Sequence, residues 1–140
     1  MMKYLLDTNA VIHFLHNKYS IERKIESVRL DNCFISEMTL AELYFGAYKS
    51  VYVEANLLQA DELHDSFNVL PISRALKKFG YERARIDRKR LRDVKSEDLL
   101  IGATAIVYEM TLVSQNTKDF INMENLKLED WTKPRHNEFL

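Results

Sequence analysis

This chain has few of the residues that crosslink or interrupt a fold: one cysteine, three glycines and two prolines among 140 residues. A single cysteine excludes an intramolecular disulfide, and the apolar neighbours of Cys33 favour a buried structural thiol. The scarcity of glycine and proline leaves no linker, repeat or low-complexity segment to divide the chain. We therefore predict a single domain over residues 1–131, followed by a flexible polar tail over residues 132–140.

Long apolar runs are also lacking. The N-terminal segment has one lysine before a short apolar run that ends at Asp7, which is not the pattern of a signal peptide. No stretch reaches the length needed to cross a bilayer. Apolar residues still make up 46% of the chain, enough for a core, which excludes a disordered protein. Since the lone cysteine suggests a reducing compartment, we expect a cytoplasmic protein with no membrane partner.

Short apolar segments alternate with helical patterns along the chain. The spacing predicts buried strands at residues 3–6, 33–36, 68–72 and 111–114, and a final short strand at 126–131. Pro71 indicates that the third strand lies at a sheet edge. Helices are predicted between the strands, including one over residues 96–110 with Ser96 as its N-cap. This alternation is typical of an α/β fold with a parallel sheet covered on both faces.

Acidic residues recur near the predicted strand ends. Asp7 follows the first strand, and Glu42 lies in the helix after the second. Asp98 opens the helix before the fourth strand, and Asp119 follows that strand, three residues after Asn116. Because sites in parallel sheets form beyond the carboxyl ends of the strands, we expect the four acids to meet at one edge. Such a cluster must bind protons or a cation, and oxygen ligands suit Mg²⁺ or Mn²⁺.

Each acid also has a purely structural interpretation. Asp7 is placed to cap the first helix, and Asp119 to cap a turn. Thr39 and Glu42 have the spacing of a capping box. Asp98 lies in a first helical turn, where negative charge suits the helix dipole. The shared position at one sheet edge favours a metal site, and the capping roles are compatible with it.

The chain resembles the PIN-domain ribonucleases, and among them the VapC-type toxins of bacterial toxin–antitoxin pairs, in four blocks: LLDTNAVIHFL, ISEMTLAELYFGAYKS, DLLIGATAIVYEMTLVSQNTKDF and LEDW. The blocks follow one another in the family's order and cover nearly the whole chain. The resemblance implies that residues 1–131 form a PIN domain, with a Rossmann-like three-layer α/β/α fold and a central parallel sheet of four to five strands. It also implies a Mg²⁺- or Mn²⁺-dependent endoribonuclease.

The resemblance assigns roles to the acids. Asp7, Glu42 and Asp98 match the three acidic residues of the family. The fourth acidic position falls in the segment NTKDF, where Asp119 supplies the carboxylate. The sequence departs from many relatives just before the third acid, where Glu97 stands beside Asp98. The spacing to LLIGA favours Asp98 as the family acid.

The resemblance also indicates polar residues that support the acids. Asn9 and Ser114 match the small polar residues that support the site in the family, with Ser114 in place of the more usual threonine. Asn116 is a further polar partner in the loop of Asp119. These residues complete the site that the sequence predicts.

Positive charge is concentrated in one segment. Residues 74–95 have a net charge of +7, which leaves −8 for the rest of a chain whose total is −1. A basic helix leading into the helix of Asp98 is a natural track for a phosphate backbone, although charged runs are often only solvated helix faces. The RNA-binding candidates are Arg85, Arg88, Lys89, Arg90, Arg92 and Lys95.

We therefore predict an endoribonuclease toxin that hydrolyses phosphodiester bonds in RNA, with tRNA as one hypothesis for the target. The resemblance implies a cognate VapB-type antitoxin, a homodimer, and a larger assembly that binds operator DNA through the antitoxin. Two alternatives remain open. One is a non-catalytic Rossmann-like binding module, and the other is a metal-dependent DNA nuclease or phosphatase. Four aromatic residues suit either the core or an interface, namely Tyr44, Phe45, Tyr48 and Tyr52.

Overall fold

The computed structural model describes residues 2–133, so most of the predicted tail lies outside the described residues. The strands are β1 (Tyr4–Leu6), β2 (Cys33–Ser36), β3 (Asn68–Leu70), β4 (Thr111–Val113) and β5 (Lys127–Glu129). The helices are α1 (Thr8–Leu15), α2 (Ile21–Val28), α3 (Glu37–Lys49), α4 (Val53–Ser66), α5 (Leu76–Arg88), α6 (Ser96–Val107) and α7 (Thr117–Phe120). Two short 3₁₀ turns, Leu30–Asn32 and Ser73–Ala75, precede β2 and α5.

The five strands form one parallel sheet in the order β3-β2-β1-β4-β5. This confirms the predicted α/β fold and its parallel sheet. β3 lies at an edge of the sheet, as Pro71 indicated. The chain builds outward from β1 to β3 and then returns to the other side of β1 with β4. The reversal between β1 and β4 is the point at which open α/β sheets form their sites.

Alternate side chains of the central strands enter two separate cores. Leu6, Ile35 and Val113 pack with residues of α1, α2, α3 and α4 on one face. Leu5 and Leu112 pack with residues of α5, α6 and α7 on the other. Because successive strand residues point to opposite faces, a short strand that is buried throughout needs helices on both sides. The sheet is therefore the middle of three layers, as the sequence predicted.

The start of α6 differs from the prediction. Lys95 occupies the N-cap position and makes no capping hydrogen bond through its side chain, while Ser96 is already the first helical residue. The Ser96 hydroxyl accepts a hydrogen bond from the Arg83 guanidinium at 3.4 Å. The serine that the sequence favoured as the cap of α6 instead contacts Arg83 of the neighbouring helix α5.

Cys33 is fully buried in β2, and burial raises the pKa of its thiol to about 11. The structural interpretation of this cysteine is confirmed, because a thiol held protonated is a poor nucleophile. No helix within residues 2–133 combines the length and apolar character that a bilayer span requires.

Candidate active site

Asp7 stands where β1 ends and α1 begins. Its backbone N–H donates to the Val113 carbonyl at 3.0 Å, which continues the pairing of β1 with β4. Its Oδ1 accepts the N–H of Ala10 at 2.8 Å, so the carboxylate caps α1 as predicted. The side chain is buried, which is unusual for a carboxylate with no cation beside it. The cap therefore does not by itself account for the placement of this acid.

Ser114 supports Asp7 from the adjacent strand. It directly follows β4, is fully buried, and its hydroxyl is hydrogen-bonded to the Asp7 carboxylate. The same hydroxyl oxygen accepts the backbone N–H of Asn116 at 3.0 Å. Asn9 is exposed on the first turn of α1, where its amide is open to a ligand. Of the three predicted supporting residues, Asn9, Ser114 and Asn116, it is Ser114 that contacts Asp7.

The environment of Asp7 favours its neutral form. Burial raises the pKa of Asp7 to about 6, against the hydrogen bonds from Ser114 and Ala10, which lower it. The charges of Asp98 and Glu42 raise it further. These two acids come from α6 and α3, distant in sequence, so the fold has brought three of the predicted acids within electrostatic reach.

Glu42 points to the start of α1. Its Oε1 accepts a hydrogen bond from the Thr8 hydroxyl at 2.6 Å, and that hydroxyl oxygen lies 3.1 Å from the hydroxyl of Thr39. The capping-box interpretation of Glu42 is wrong, because α3 begins at Glu37 and Ser36 is its cap. Thr8 is thus the side chain that holds Glu42 beside the Asp7 loop.

Asp98 lies in the first turn of α6 and is half-buried, whereas the neighbouring Glu97 is exposed. Burial raises the pKa of Asp98, and so do the charges of Glu42 and Asp119, while Lys95 opposes the shift. The charge of Glu97 contributes less than either of those two acids. The structure therefore turns Asp98, and not Glu97, toward the other carboxylates.

Asp119 lies in α7, and Asn116 is exposed just before that helix. One Asp119 oxygen is 3.3 Å from the Arg92 guanidinium. This ion pair was not foreseen, because the sequence gives no indication that the loop between α5 and α6 folds back over the segment after β4. Asp119 is consequently the one acid of the four that an exposed arginine neutralises.

The four acids thus gather around the switch point between β1 and β4. Across residues 2–133, however, no three His, Cys, Asp or Glu side chains converge closely enough to form a ready metal cage. The donor set fits a hard divalent cation in two respects: it consists of oxygens, and the repulsion of Asp98 and Glu42 raises the pKa of Asp7, while Lys95 opposes the rise only at Asp98. Mg²⁺ keeps several waters and needs only one or two direct carboxylates, so looser spacing is compatible with it.

The positively charged segment, residues 74–95, contains both buried and exposed cations. Arg85 is buried and its guanidinium is bonded to Glu82, so the prediction that Arg85 contacts RNA is wrong. The other five candidates are exposed at the end of α5 and in the connection to α6, namely Arg88, Lys89, Arg90, Arg92 and Lys95. We call these five residues the basic connection. It leads directly to Asp98.

A groove of about 220 Å³ runs between α1, α3 and α4. Thr8 and Glu42 lie at its end toward the acids, and Gly46 and Ala47 line its wall. A Cβ atom at Gly46 would meet nothing within 4 Å, so the space above this glycine is open. The groove therefore gives a path along the surface to the Glu42 carboxylate.

An exposed apolar patch lies on α3, α4 and their connection. It consists of Phe45, Tyr48, Val51, Tyr52 and Leu58, of which Val51 is 91% exposed. Tyr44 is half-buried, and its hydroxyl donates to Asp61 at 2.6 Å. Three of the four aromatic residues left open by the sequence are therefore on the surface. Exposed apolar side chains on two helices that pack together are a candidate interaction surface.

Comparison with known proteins agrees with this fold. The family model for the PIN domain matches residues 4–126. Ribonuclease VapC1 of Haemophilus influenzae (strain R2866) is 32% identical over 135 residues, covering 94% of this chain and 100% of the relative. The tRNA(fMet)-specific endonuclease VapC of Shigella flexneri is 32% identical over 133 residues, covering 94% and 100%.

A solved structure gives the same result. DNA-bound VapBC from Salmonella typhimurium superposes with a TM-score of 0.85 at 28% identity, covering 94% of this chain and 99% of the other. The chain belongs to the PIN-domain family. Within that family its relatives are VapC ribonucleases, which confirms the resemblance found in the four sequence blocks.

Proposed function

We propose that this protein is a divalent-metal-dependent endoribonuclease and the toxin of a VapBC-type toxin–antitoxin pair. One observation carries the proposal: acids from four separate elements surround the switch point of the sheet, and two of them have raised pKa values because of burial and mutual repulsion. Perturbed carboxylates gathered in this way are typical of catalytic metal sites. The names of the relatives support RNA as the substrate.

Asp7, Glu42, Asp98 and Asp119 would hold Mg²⁺ or Mn²⁺, directly or through water. A bound divalent ion would lower the pKa of a water molecule and neutralise charge on the phosphoryl oxygens. Ser114 keeps the Asp7 carboxylate oriented, and Thr8 does the same for Glu42. Arg92, beside Asp119, is placed to neutralise a phosphate that approaches the acids. No side chain is required as a nucleophile.

The basic connection supports RNA binding. Its five exposed cations precede α6, which has Asp98 in its first turn, so a phosphate backbone lying on them would pass the acidic site. Such contacts position a strand and carry little sequence information. Selective RNA cleavage is therefore expected to depend on the shape of a structured target, and two relatives are named as tRNA(fMet)-specific endonucleases.

We also propose two protein partners. The neighbour from Salmonella was solved as VapBC, which supports a VapB-type antitoxin for this chain, within a larger assembly on operator DNA. The groove beside Glu42 offers that antitoxin a route to the acids. The exposed apolar patch supports a homodimer, since burial of its aromatic residues would remove apolar surface from water.

A substrate panel tests the proposed activity. The purified protein is incubated with matched RNA, DNA and a phosphomonoester, each with Mg²⁺ and each with EDTA. We expect cleavage of RNA alone, only with Mg²⁺, and restored by adding metal after EDTA treatment. Sequencing of the RNA ends would then identify the target.

The same panel separates the alternatives. Cleavage of DNA or release of phosphate would favour the nuclease or phosphatase interpretation. Binding of RNA without cleavage under any metal would favour a non-catalytic module. RNA cleavage that persists in EDTA would contradict the metal dependence while leaving the ribonuclease activity standing.

A further inference from the structure

A buried ion pair outside the acidic site joins α5 to the segment after α7. Glu82 is fully buried and Arg85 is 6% exposed. The Glu82 Oε2 atom accepts from Arg85 Nη2 at 2.7 Å and from Nε at 3.1 Å. Taking both charges from water has a cost, so a pair of this kind needs further partners to be stable.

Besides Lys78, whose ammonium lies 3.5 Å from Glu82 Oε1, the further partners come from the segment after α7. The Arg85 guanidinium donates to the carbonyl of Asn122, and the Glu82 Oε1 atom accepts the N–H of Glu124 at 3.3 Å. The Glu124 carboxylate adds a contact to Arg85 at 3.3 Å. Residues 121–126 lie between α7 and β5, outside any helix or strand. The buried pair therefore replaces part of the hydrogen bonding that regular structure would provide.

The same segment is held from its other side by α6. Phe120 and Met123 are buried against Gly102, where a Cβ atom would lie 2.6 Å from the Met123 sulfur and 3.3 Å from the Phe120 ring. A side chain at this position would force the Met123 side chain to shift. The segment is thus fixed between α5 and α6, directly after the short helix that contains Asp119.

We propose that Glu82 and Arg85 are positioning residues that fix Asp119 relative to Asp98. Asp98 is carried by α6, whereas Asp119 lies in a helix of only four residues whose C-terminal side is tied to α5 through this pair. An apolar pair of similar volume fills space equally well, but it does not bind two backbone groups at defined points. The ion pair sets the register of the segment and, through it, the distance between the two acids.

This inference rests on the proposed function, because it assigns the pair a role toward the metal held by Asp98 and Asp119. The test measures Mn²⁺ affinity by electron paramagnetic resonance, beside the rate of RNA cleavage at saturating Mn²⁺ and the melting temperature. Arg85→Lys keeps the charge but loses the fork that reaches both Glu82 and Asn122. The double variant Glu82→Gln/Arg85→Met removes both charges together and so leaves no unpaired buried ion.

Two control variants give reference values for the change in Mn²⁺ affinity. Asp119→Asn removes the acid itself. Ile25→Val trims a buried residue of α2 in the other core, so it lowers stability without touching α5 or α7. We expect both variants of the pair to lose about tenfold or more in Mn²⁺ affinity, as supporting residues of metal sites do. Ile25→Val should stay within about twofold of the parent.

The outcomes are distinguishable. The inference is overturned if folded pair variants keep the parent's Mn²⁺ affinity while Asp119→Asn loses it. It is also overturned if Ile25→Val loses affinity as much as they do, since the effect would then be general destabilisation. If Arg85→Lys does not fold, the double variant decides the outcome alone. A parent protein that binds no Mn²⁺ would refute the proposed function itself, and the inference with it.

Discussion

Asp7 has two roles that act on its charge in opposite directions. As the cap of α1 it accepts the N–H of Ala10, which favours the ionised carboxylate. As a buried acid near Asp98 and Glu42 it is driven toward the neutral form, and burial is the larger effect. A residue chosen only to cap a helix would be exposed. The conflict is resolved if a cation sits beside the carboxylate.

The pH dependence of stability tests this conflict. The pKa of Asp7 rises from 3.8 to about 6 in the folded protein, so between these values the folded state binds more protons than the unfolded state. The stability that Asp7 contributes is full below about pH 4 and is lost as the pH rises through 6, by about 3 kcal/mol. Urea unfolding without metal, from pH 4 to 7, measures it.

The matched control is Asp7→Asn, which keeps the cap acceptor but cannot ionise. The free energy of unfolding of the parent should fall relative to this variant as the pH rises, with the difference growing fastest near about pH 5, midway between the unfolded and folded pKa values, and levelling off above about pH 6. Asp98, whose pKa is also raised, is present in both proteins, so only its coupling to Asp7 enters the difference. Parallel pH curves for the two proteins would mean that Asp7 is not perturbed.

Single residues show what sequence reasoning can and cannot assign. The choice of Asp98 over Glu97 followed from spacing, and the structure turns Asp98 toward the acids while Glu97 is exposed. Arg85 was misassigned because a row of cations does not reveal which one is buried. The spacing of Glu82 and Arg85, three residues apart on a helix, was a visible sign of their pairing.

At the scale of elements, some cations of α5 make structural contacts, whereas those of its connection to α6 are mostly exposed. Arg83 bonds to Asp93 at 3.0 Å and to the Val94 carbonyl at 2.7 Å, so it ties the connection down. Arg85 ties down the segment after α7. After Arg85, the exposed cations of this segment begin at Arg88, and one of them, Arg92, is paired with Asp119. The net charge of residues 74–95 overstated the number of cations available to phosphate, because some of these cations make structural contacts within the protein.

Neutralising part of the basic connection should weaken RNA binding in a salt-dependent way. Arg88→Gln/Arg90→Gln is expected to reduce the slope of log affinity against log salt by about 1.4, since each of the two lost phosphate contacts on a single strand contributes about 0.7. The matched control, Arg23→Gln/Arg29→Gln, removes two exposed cations near α2. Fluorescence anisotropy over a salt series measures both. Equal loss in the two variants would indicate a diffuse charge effect and contradict a local track.

Elements were predicted better than their ends. The strand Cys33–Ser36 has the predicted bounds, because a short apolar run between polar residues has few alternatives. The starts of α3 and α6 were misplaced because several serines and threonines nearby could serve as caps, and tertiary contacts chose among them. The prediction of the site depended less on where the helices begin, since the order of the strands determines which acids lie at the same edge.

At the scale of the whole molecule, the order of the strands explains why one site forms. β1 is central, and the chain leaves it toward β2 and returns beside it as β4. Asp7 and Ser114 therefore meet across neighbouring strands, and the helices after β2 and before β4 bring Glu42 and Asp98 to the same edge. The sequence could predict this meeting, but not the ion pair of Asp119 with Arg92, which depends on how two loops fold.

Asp7→Asn, measured for RNA cleavage with Mg²⁺ beside its circular dichroism and melting temperature at pH 7, tests the proposed metal site most directly. Loss of a supporting residue costs about 10- to 100-fold in metal sites, so loss of this acid should cost at least about 100-fold in rate. The fold should persist, because asparagine keeps the cap and relieves a buried charge. Cleavage near the parent rate in the folded variant would contradict the metal site.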